Sequence, residues 1–388
     1  MRSVWDIVVV GAGPAGLMAA RELARGGHGV VVLEEHEAIG YPVHCTGLLG
    51  LDAFDELSLP SRTILAVARA ASFRAASGRS IRIAAEGVRA AVVDRGAFDA
   101  ALADEAGAAG AVIRTGVRVA DITIADREAR ATLTSGETID GRAVVIACGA
   151  HYRFNRSIGL GVPRVFTQSA QLETPFPASD QVEVRFGSDI APKGFAWVVP
   201  FQRGGRPHAR VGLMSANRAA ERFSAFAAAI RADRSISDEW SAPRLKILPL
   251  GPVARTYADR AVAVGDAAGL VKPTTGGGIY YGLLSGRIAA ETLDEALRSD
   301  ALDSYSLSRY ERSWKARLGP EIRAGLAFRS IVGRLNDRAI DAIVELASVD
   351  GIVPLLQQTA NFNWHRDAAL ALLRHAPFRR IVLSSLWG

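Results

Sequence analysis

The sequence predicts a mixed α/β fold in which a parallel-sheet lobe is interleaved with a β-rich lobe and followed by a helical region. A strand–glycine loop–helix–strand unit at the N-terminus and a second apolar strand, Ala261–Val264, that runs into a glycine-rich segment predict the first lobe. Alternating apolar and polar residues between 164 and 215 predict the second lobe, and helical periodicity beyond residue 287 predicts the helical region. The chain of 388 residues is long enough for two or three such lobes.

The N-terminal unit has the layout of a dinucleotide-binding βαβ motif. An apolar strand, Val4–Val10, leads into Gly11-Ala12-Gly13-Pro14-Ala15-Gly16, and an Ala/Leu-rich helix over Leu17–Arg25 follows. The next strand, Val30–Leu33, ends at Glu34. Glycines permit a tight turn and close approach to a pyrophosphate at the helix N-terminus, and an acid at the end of the second strand binds ribose hydroxyls. The unit therefore predicts a Rossmann-like, dinucleotide-binding lobe.

The second glycine-rich segment indicates that the bound group is large. Gly265-Asp266 follows the strand Ala261–Val264, and three consecutive glycines, Gly276–Gly278, precede a helix. A side chain at these glycines would crowd a bulky ligand, so we expect the backbone to approach a large, flat group. An acid after a strand, followed by a helix N-terminus, suits a ligand with both hydroxyls and phosphates.

Composition excludes several classes of protein. A hydrophobic fraction of 49% with 22% charged residues is typical of a globular protein. No apolar run is long enough to span a membrane, and the first apolar run contains Asp6 and merges with the glycine loop, which argues against a signal peptide. The two cysteines, Cys45 and Cys148, have no metal-ligand spacing. They predict no metal site and a reducing, cytoplasmic location.

The net charge of +6 is concentrated at the C-terminus, where residues 296–388 hold 13 Lys/Arg against 9 Asp/Glu. A basic region that ends in Phe378-Arg379-Arg380-Ile381-Val382-Leu383 and Trp387 predicts contact with an anionic membrane, peripheral at its inner face. An ordinary solvated helical face explains the same residues equally well. No basic run is interleaved with a nucleic-acid-binding motif, so no nucleic-acid partner is expected.

The order of strands and helices predicts a discontinuous organisation. Ser72–Ala84 is expected to form a hairpin around Ser77-Gly78, Ala97–Ala109 a helix, and Asn217–Asp233 an amphipathic helix. The predicted lobes are a cofactor-binding domain (1–65, 92–160 and 245–295), a β-rich substrate domain (66–91 and 161–244) and a C-terminal helical region (296–388).

Three segments resemble motifs of the geranylgeranyl reductase family, within the para-hydroxybenzoate hydroxylase-like superfamily of FAD-dependent oxidoreductases. The GxGxxG unit, the Arg of VVDRGAFD and the run VGDAAGLVKPTTGGGI resemble the superfamily. The segment GYPVHCTG at residues 40–47 matches the family's PxxCxG, and FAWVVP at 195–200, followed by Val211-Gly212, is similar to its YxWxFP…GxG motif. The run KPTTGGGIYYG at 272–282 is the most specific of the three. The sequence departs from the family where Phe195 replaces Tyr and Val199 replaces Phe.

The resemblance implies a role for each matched residue. The residues expected to bind FAD are Gly11, Gly13, Ala15, Gly16, Glu34, Glu35, Cys45, Arg95, Gly265, Asp266, Gly276, Gly277, Gly278 and Ile279. Cys45 and His44 are the candidate catalytic residues, and the candidate substrate contacts are Phe195, Trp197, Pro200 and Tyr280. Simpler interpretations stay open: Cys45 as a small buried residue, His44 as structural, Arg95 in a surface ion pair and Asp266 as a helix cap.

The implied activity is an FAD-dependent reduction of carbon–carbon double bonds in a geranylgeranyl-type or other prenyl-lipid chain, or in an isoprenoid diphosphate. NADPH, NADH or ferredoxin is the expected electron donor. The alternative is an FAD-dependent monooxygenase, either an aromatic hydroxylase or a halogenase-like enzyme, because such enzymes share the glycine loop and Gly265-Asp266. Halogenases of the superfamily carry a second Trp at the position of Phe195, which argues against that activity. A non-enzymatic flavin-binding protein is a third hypothesis, and two cysteines are too few for an iron–sulfur quinone oxidoreductase.

Overall fold

The structure, a computed structural model, describes residues 4–84, 89–349 and 351–387. Its strands are β1 (Trp5–Val10), β2 (Val30–Leu33), β3 (Leu48–Gly50), β4 (Ile64–Ala68), β5 (Ala70–Arg74), β6 (Ser80–Ala84), β7 (Ala90–Val93), β8 (Val112–Arg114), β9 (Val119–Ile124), β10 (Ala129–Leu133), β11 (Thr138–Ile146), β12 (Phe166–Pro175), β13 (Val182–Arg185), β14 (Phe195–Arg203), β15 (Arg206–Ser215), β16 (Arg244–Pro249), β17 (Tyr257–Ala258) and β18 (Ala261–Ala263). Its α-helices are α1 (Pro14–Arg25), α2 (Asp52–Glu56), α3 (Arg95–Ala108), α4 (Arg153–Ser157), α5 (Ala219–Asp233), α6 (Ile279–Arg298), α7 (Ser304–Val332), α8 (Asp337–Val349), α9 (Ile352–Thr359), α10 (Arg366–Arg374) and α11 (Ala376–Trp387).

Valine-rich runs near the N-terminus form the centre of an eight-stranded sheet. Its main path has the order β17-β18-β11-β1-β2-β8, and β9 and β10 extend it from β11. Strand β1 pairs in parallel with β11 and β2, and β11 pairs in parallel with β18. Residues 7–10 and 30–33 are buried in the main hydrophobic core, and α1 packs against β1, β2 and β11. The carboxyl ends of β1, β11 and β18 therefore lie side by side, where open parallel sheets bind ligands.

Close packing of α1 against α6 brings the two glycine-rich segments together. A Cβ added at Gly286 of α6 would lie 2.3 Å from the backbone oxygen of Ala15, whereas one at Gly282 would lie 3.5 Å from the Ala15 side chain. The backbones thus approach most closely at Gly286, where only glycine fits. Helix α1 begins at Pro14, earlier than the predicted Leu17, because proline is well tolerated at the first helical position.

The seven-stranded sheet has the order β16-β12-β15-β14-β13-β5-β6, and the predicted hairpin around Ser77-Gly78 is its β5–β6 pair. Side chains alternate between its two faces. One face, which includes Val198 and Val211, packs against α5 through Phe223. The opposite face packs against the three-stranded sheet β3-β7-β4. This opposite face closes over the carboxyl ends of the parallel strands.

The C-terminal region is helical, as predicted, and its helices α8–α11 share a core that contains Ile352, Phe378 and Val382. Arg379 and Arg380 are exposed, whereas the side chain of Trp387 lies outside the described residues. Among the described helices, none combines the length and apolar character that crossing a bilayer requires. The predicted mixed α/β fold class is confirmed, and the domain boundaries stay a prediction.

Candidate active site

The glycine loop ends in an open helix N-terminus. Gly13 is the N-cap of α1, and no side chain caps this end. A Cβ added at Gly13 would find no atom within 4 Å, so the space in front of the helix is free. The first amides of a helix lack partners within it and carry a partial positive charge. The space in front of this helix end would fit a pyrophosphate, and its binding by Gly11, Gly13, Ala15 and Gly16 stays a prediction.

Glu34 lies against this loop. Its Oε2 accepts a hydrogen bond of 2.7 Å from the backbone N–H of Ala12, and its Oε1 accepts one of 3.1 Å from the backbone N–H of His36. Its neighbour Glu35 points elsewhere and pairs with Arg118 at 3.3 Å on the surface. Side chains of consecutive residues diverge in extended backbone. The structure therefore brings Glu34, but not Glu35, to the glycine loop.

Asp266 lies in the turn after β18, between α6 and the seven-stranded sheet. Its Oδ2 accepts a hydrogen bond of 3.0 Å from Lys246 Nζ, and a Cβ added at Gly278 would lie 2.7 Å from its Oδ1. Asp266 raises the pKa of Lys246 and outweighs the opposing effect of burial. The N-cap of α6 is Gly278, and no side chain caps it, so Asp266 is not a helix cap. A carboxylate so placed fits the hydroxyls of a nucleotide cofactor.

Gly276, Gly277 and Ile279 lie around this turn. Gly276 faces Leu248 of β16, with 3.1 Å between its added Cβ and Leu248 Cδ1. Ile279 is buried in the main core. This glycine segment therefore separates the parallel sheet from the seven-stranded sheet, at the place where a flat group would lie.

Arg95 lies beside Cys45, inside the molecule. Its guanidinium pairs with Asp99 at 2.7 Å, and both side chains are largely buried, so this is not a surface ion pair. Burial acts to lower the pKa of Arg95, but Asp99 and the hydrogen-bonded Cys45 outweigh it and raise the pKa. The arginine is therefore a fixed positive charge next to the thiol.

Cys45 lies on the turn between β2 and β3. Its Sγ accepts a contact of 3.4 Å from the backbone N–H of Gly47. The pKa of the adjacent His44 is lowered, first by burial and then by the positive charges of Lys246 and Arg244. A neutral imidazole therefore accompanies the thiol at neutral pH.

Part of the seven-stranded sheet covers Cys45, and we call this part the roof. It comprises Phe195, Trp197, Arg210, Met214, Gln171 and Lys246 from the face opposite α5. Gln171 Oε1 accepts hydrogen bonds from Thr46 Oγ1 at 2.6 Å and from Trp197 Nε1 at 3.2 Å. The rings of Phe195 and Trp197 lie 5.8 Å apart. The Cys45 turn and the aromatic motif of β14 are thus joined by one buried amide.

Two predicted substrate contacts lie elsewhere. Pro200 pairs with Ala209, on the face of Ala196 and Val198, because alternate residues of β14 face opposite sides. Tyr280 is buried, and its hydroxyl donates a hydrogen bond of 2.6 Å to Glu56 while Trp364 packs on its ring. Neither side chain belongs to the roof. Of the four predicted contacts, the structure brings Phe195 and Trp197 to Cys45.

Two basic roof residues, Lys246 and Arg210, were not predicted from the sequence. Lys246 lies on a strand without a motif, and Arg210 precedes the motif residues Val211-Gly212 without being one of them. Arg210 reaches the Cys45 turn, and Lys246 reaches Asp266, through the register of the sheet. Alternation would have given the wrong face for Lys246, because the apolar neighbours Leu245 and Ile247 are the exposed residues and Lys246 faces Asp266.

The glycine-rich segment also carries a buried base. Lys272 is 4% exposed and donates a hydrogen bond of 2.7 Å to the carbonyl oxygen of Phe362. Burial lowers its pKa to about 7. His365 lies next to it, hydrogen-bonded to Thr274 at 2.6 Å, and burial together with Lys272 lowers the pKa of His365 to about 3. Residues of the segment 361–366 therefore hold the glycine-rich loop through the hydrogen bonds of Phe362 and His365.

Comparison with known proteins agrees with this arrangement. The family model described as "Lycopene cyclase protein" matches residues 6–341. Digeranylgeranylglycerophospholipid reductase 2 of Methanothermobacter thermautotrophicus is 31% identical over 360 residues, which cover 89% of this chain and 92% of that protein.

Solved structures share the fold. A geranylgeranyl bacteriochlorophyll reductase-like protein from Thermoplasma acidophilum superimposes with a TM-score of 0.82 at 23% identity, over 98% of this chain and 99% of that one. The halogenase PltM in complex with phloroglucinol and FAD gives a TM-score of 0.69 at 16% identity, over 98% and 91% of the two chains.

The fold is that of the FAD-dependent oxidoreductases. The chain belongs to the geranylgeranyl reductase family of these oxidoreductases, to which its similarity to digeranylgeranylglycerophospholipid reductase assigns it, and it also matches the lycopene cyclase family model.

Proposed function

We propose that the protein is an FAD-dependent reductase that saturates carbon–carbon double bonds of a geranylgeranyl-type or related prenyl-lipid chain. The observation that carries the proposal is the position of Cys45, a thiol held between the glycine-rich loops and the apolar roof by Gly47 and Arg95. Similarity to digeranylgeranylglycerophospholipid reductase over most of the chain supports the substrate class.

The residues of the parallel sheet fit FAD. The open N-terminus of α1 would hold the pyrophosphate, Glu34 the adenosine ribose and Asp266 the ribityl hydroxyls, with Gly276–Gly278 against the ring system. When bound and reduced, FAD supplies a hydride. NADPH, NADH or ferredoxin would supply the electrons.

The chain's own residues would supply alignment, a dry surface and a proton. An isolated alkene has no carbonyl to accept negative charge, so both hydrogens must be delivered in the correct geometry. Phe195 and Trp197 present apolar surface to a prenyl chain, and Cys45 presents the S–H group. Arg95 fixes the thiol in place, and Gln171 joins that turn to Trp197.

The direct test is an anaerobic assay with mass spectrometry of the products. The FAD-loaded protein, reduced with dithionite, is mixed separately with digeranylgeranylglyceryl phospholipid and geranylgeranyl diphosphate. Two added hydrogens per double bond, with reoxidation of the flavin, are expected. Unchanged prenyl chains, together with oxygen consumption on an aromatic substrate in air, would contradict the reductase and favour a monooxygenase.

We also propose that the basic C-terminal region contacts anionic lipid through Arg379 and Arg380. Both arginines are exposed on α11, and Leu383 beside them is 47% exposed. Phe378 and Val382 pack in the helical core instead, so apolar insertion from these two side chains is not part of the proposal. The contact would be mainly electrostatic.

A further inference from the structure

Arg210 is the most completely buried cation near Cys45. Its side chain is 1% exposed, although it lies on β15 in the seven-stranded sheet. Its Nη1 donates hydrogen bonds to two backbone carbonyls of the other lobe, that of Thr46 at 2.6 Å and that of Val93 at 2.9 Å. Arg210, a roof residue, therefore holds two backbone carbonyls next to Gly47: that of Thr46, which precedes it in sequence, and that of Val93 on the paired strand β7.

The turn at Gly47 is shaped around this arginine. Gly47 has a φ of +70°, and a Cβ there would lie 2.5 Å from Arg210 Nη1 and 3.3 Å from Arg95 Cγ. The same residue donates its N–H to Cys45 Sγ. The thiol is thus held by an amide that lies between two guanidinium side chains.

One nitrogen of Arg210 has no protein partner. Nε donates to Glu173 Oε2 at 3.1 Å and Nη1 is used twice, but Nη2 is buried and makes no hydrogen bond within the part of the chain that the structure describes. Glu173 is also shared with Arg203, whose Nε donates to its other oxygen at 2.7 Å. Arg203 has a second carboxylate partner in Asp94, so among the described residues Arg210 depends on Glu173 alone for charge neutralisation. A buried donor without a partner is costly and requires a reason.

We propose that Arg210 is a positioning residue that holds the Cys45 turn and stabilises the negative charge on Sγ after proton transfer. The inference rests on the proposed function. In that step the S–H bond breaks, a C–H bond forms at one alkene carbon, and the electron pair stays on sulfur as a thiolate. Reduced FAD, when bound, would supply the hydride for the other carbon. Water then returns a proton to the thiolate.

Four other basic groups lie around Cys45. Arg95 of α3 is paired with Asp99, Lys246 of β16 is paired with Asp266, and His44 on the same turn is neutral near pH 7. Arg244 of β16 acts on His44 and is exposed to solvent. Arg210 differs from these because its Nη2 is buried and makes no hydrogen bond within the described residues.

The test measures the thiol without turnover. Iodoacetamide alkylation of Cys45 is followed against pH in the oxidised, FAD-loaded protein with no substrate present. Cys148 serves as an internal standard, because burial raises the pKa of its thiol to about 12 and it stays unreactive below pH 10. The pH midpoint of the alkylation rate reports ionisation, and the plateau rate at high pH reports access.

In Arg210→Met, we expect the midpoint to rise by about one pH unit, with a tenfold slower reaction below it; Arg210→Lys should lie between this variant and the wild type. Arg203→Met is the matched control, because Arg203 bonds to the same Glu173 but has no hydrogen bond to the Cys45 turn. Its midpoint should stay unchanged. If Arg210→Met does not fold, Glu173→Gln is used instead, and its midpoint should fall.

An unchanged midpoint in Arg210→Met, or a shift equal to that in Arg203→Met, would overturn the proposal. If neither Arg210 variant can be purified, an unchanged or raised alkylation midpoint of Cys45 in Glu173→Gln would overturn the proposal. A shifted midpoint in a protein that reduces no prenyl lipid would contradict the proposed function alone.

Discussion

At the scale of single residues, the molecule carries two cysteines in very different surroundings. Cys45 contacts Arg95 and the Gly47 amide at the junction of the two lobes. Cys148 follows β11 and is half-buried, its Sγ donates to the carbonyl oxygen of His151 at 3.2 Å, and burial raises the pKa of its thiol to about 12. One thiol is placed to react, and the other is placed to fill space.

Replacement of Cys45 by Ala should therefore lower prenyl reduction by a factor of about 10² to 10⁴, the usual contribution of a positioned proton donor. Bound FAD should be retained, because the thiol holds none of the phosphates or ribose. Cys148→Ala is the control, with reduction close to wild type. Product formation and flavin absorbance are measured on the same samples, and full activity in Cys45→Ala would refute the assignment.

Lys272 and His365 predict how stability depends on pH. The folded-state pKa of each is lowered, to about 7 and about 3, so the unfolded chain binds more protons between the folded and unfolded values. The free energy of unfolding should therefore rise with pH from about 7 towards the ordinary lysine pKa, and from about 3 to about 6.5, by up to a few kcal/mol in each window.

Denaturant unfolding of Lys272→Met and His365→Gln, compared with the wild type at each pH, isolates these contributions. The lysine variant should lose the rise in the alkaline window alone, and the histidine variant the rise in the acidic window alone. Parallel curves for wild type and variant would show that the side chain does not titrate in that window.

The sequence predicted those site residues that belong to local motifs. Gly13, Glu34 and Asp266 follow strands at fixed spacing, so strand periodicity alone places them at the sheet edge. Arg210 and Lys246 were missed because their positions depend on which strands of the second sheet are neighbours, and local spacing carries no such information. The prediction for Pro200 was wrong because it assumed that all residues of the motif 195–200 face the substrate. Alternate residues of a strand face opposite sides, and Pro200 lies on the side opposite Phe195 and Trp197.

At the scale of secondary-structure elements, the α1–α6 contact determines where the glycine loop lies. Gly286→Ala would place a methyl group 2.3 Å from the Ala15 backbone oxygen and force the helices apart. We expect a loss of about 1–3 kcal/mol in the free energy of unfolding, together with weaker FAD binding, because the N-terminus of α1 moves with the helix. Thermal unfolding and FAD titration measure both effects.

Gly282→Ala is the matched control on the same face of α6. Its methyl group would lie 3.5 Å from the Ala15 side chain, which is an ordinary contact. Its stability and FAD affinity should stay near those of the wild type. Equal losses in the two variants would contradict the role of the short Gly286 contact, because alanine favours the helix more than glycine does at both positions.

At the scale of the whole molecule, the positive charge of the C-terminal region predicts salt-dependent binding to anionic membranes. Liposomes containing anionic lipid should carry part of the protein to the top of a density gradient at low salt. Arg379→Ser combined with Arg380→Ser should reduce this fraction, and salt near 1 M should abolish it, because exposed charges are screened within a few ångströms at that ionic strength. If the floating fraction changes neither with salt nor with the two substitutions, the contact is not electrostatic.

The strand order has a consequence for synthesis of the chain. Strand β18 pairs with β11 only once residue 263 has left the ribosome, whereas β1 and β2 are complete by residue 33. At 5–20 residues per second, the valine-rich parallel pair β1–β2 waits roughly 6 to 23 seconds for its last neighbour, β11, which ends at residue 146, and β11 then waits about as long again for β18. During that interval its edges resemble those of an aggregation-prone strand. Slow translation or chaperone shortage should therefore reduce the yield of this protein more than that of a chain whose lobes follow one another in sequence.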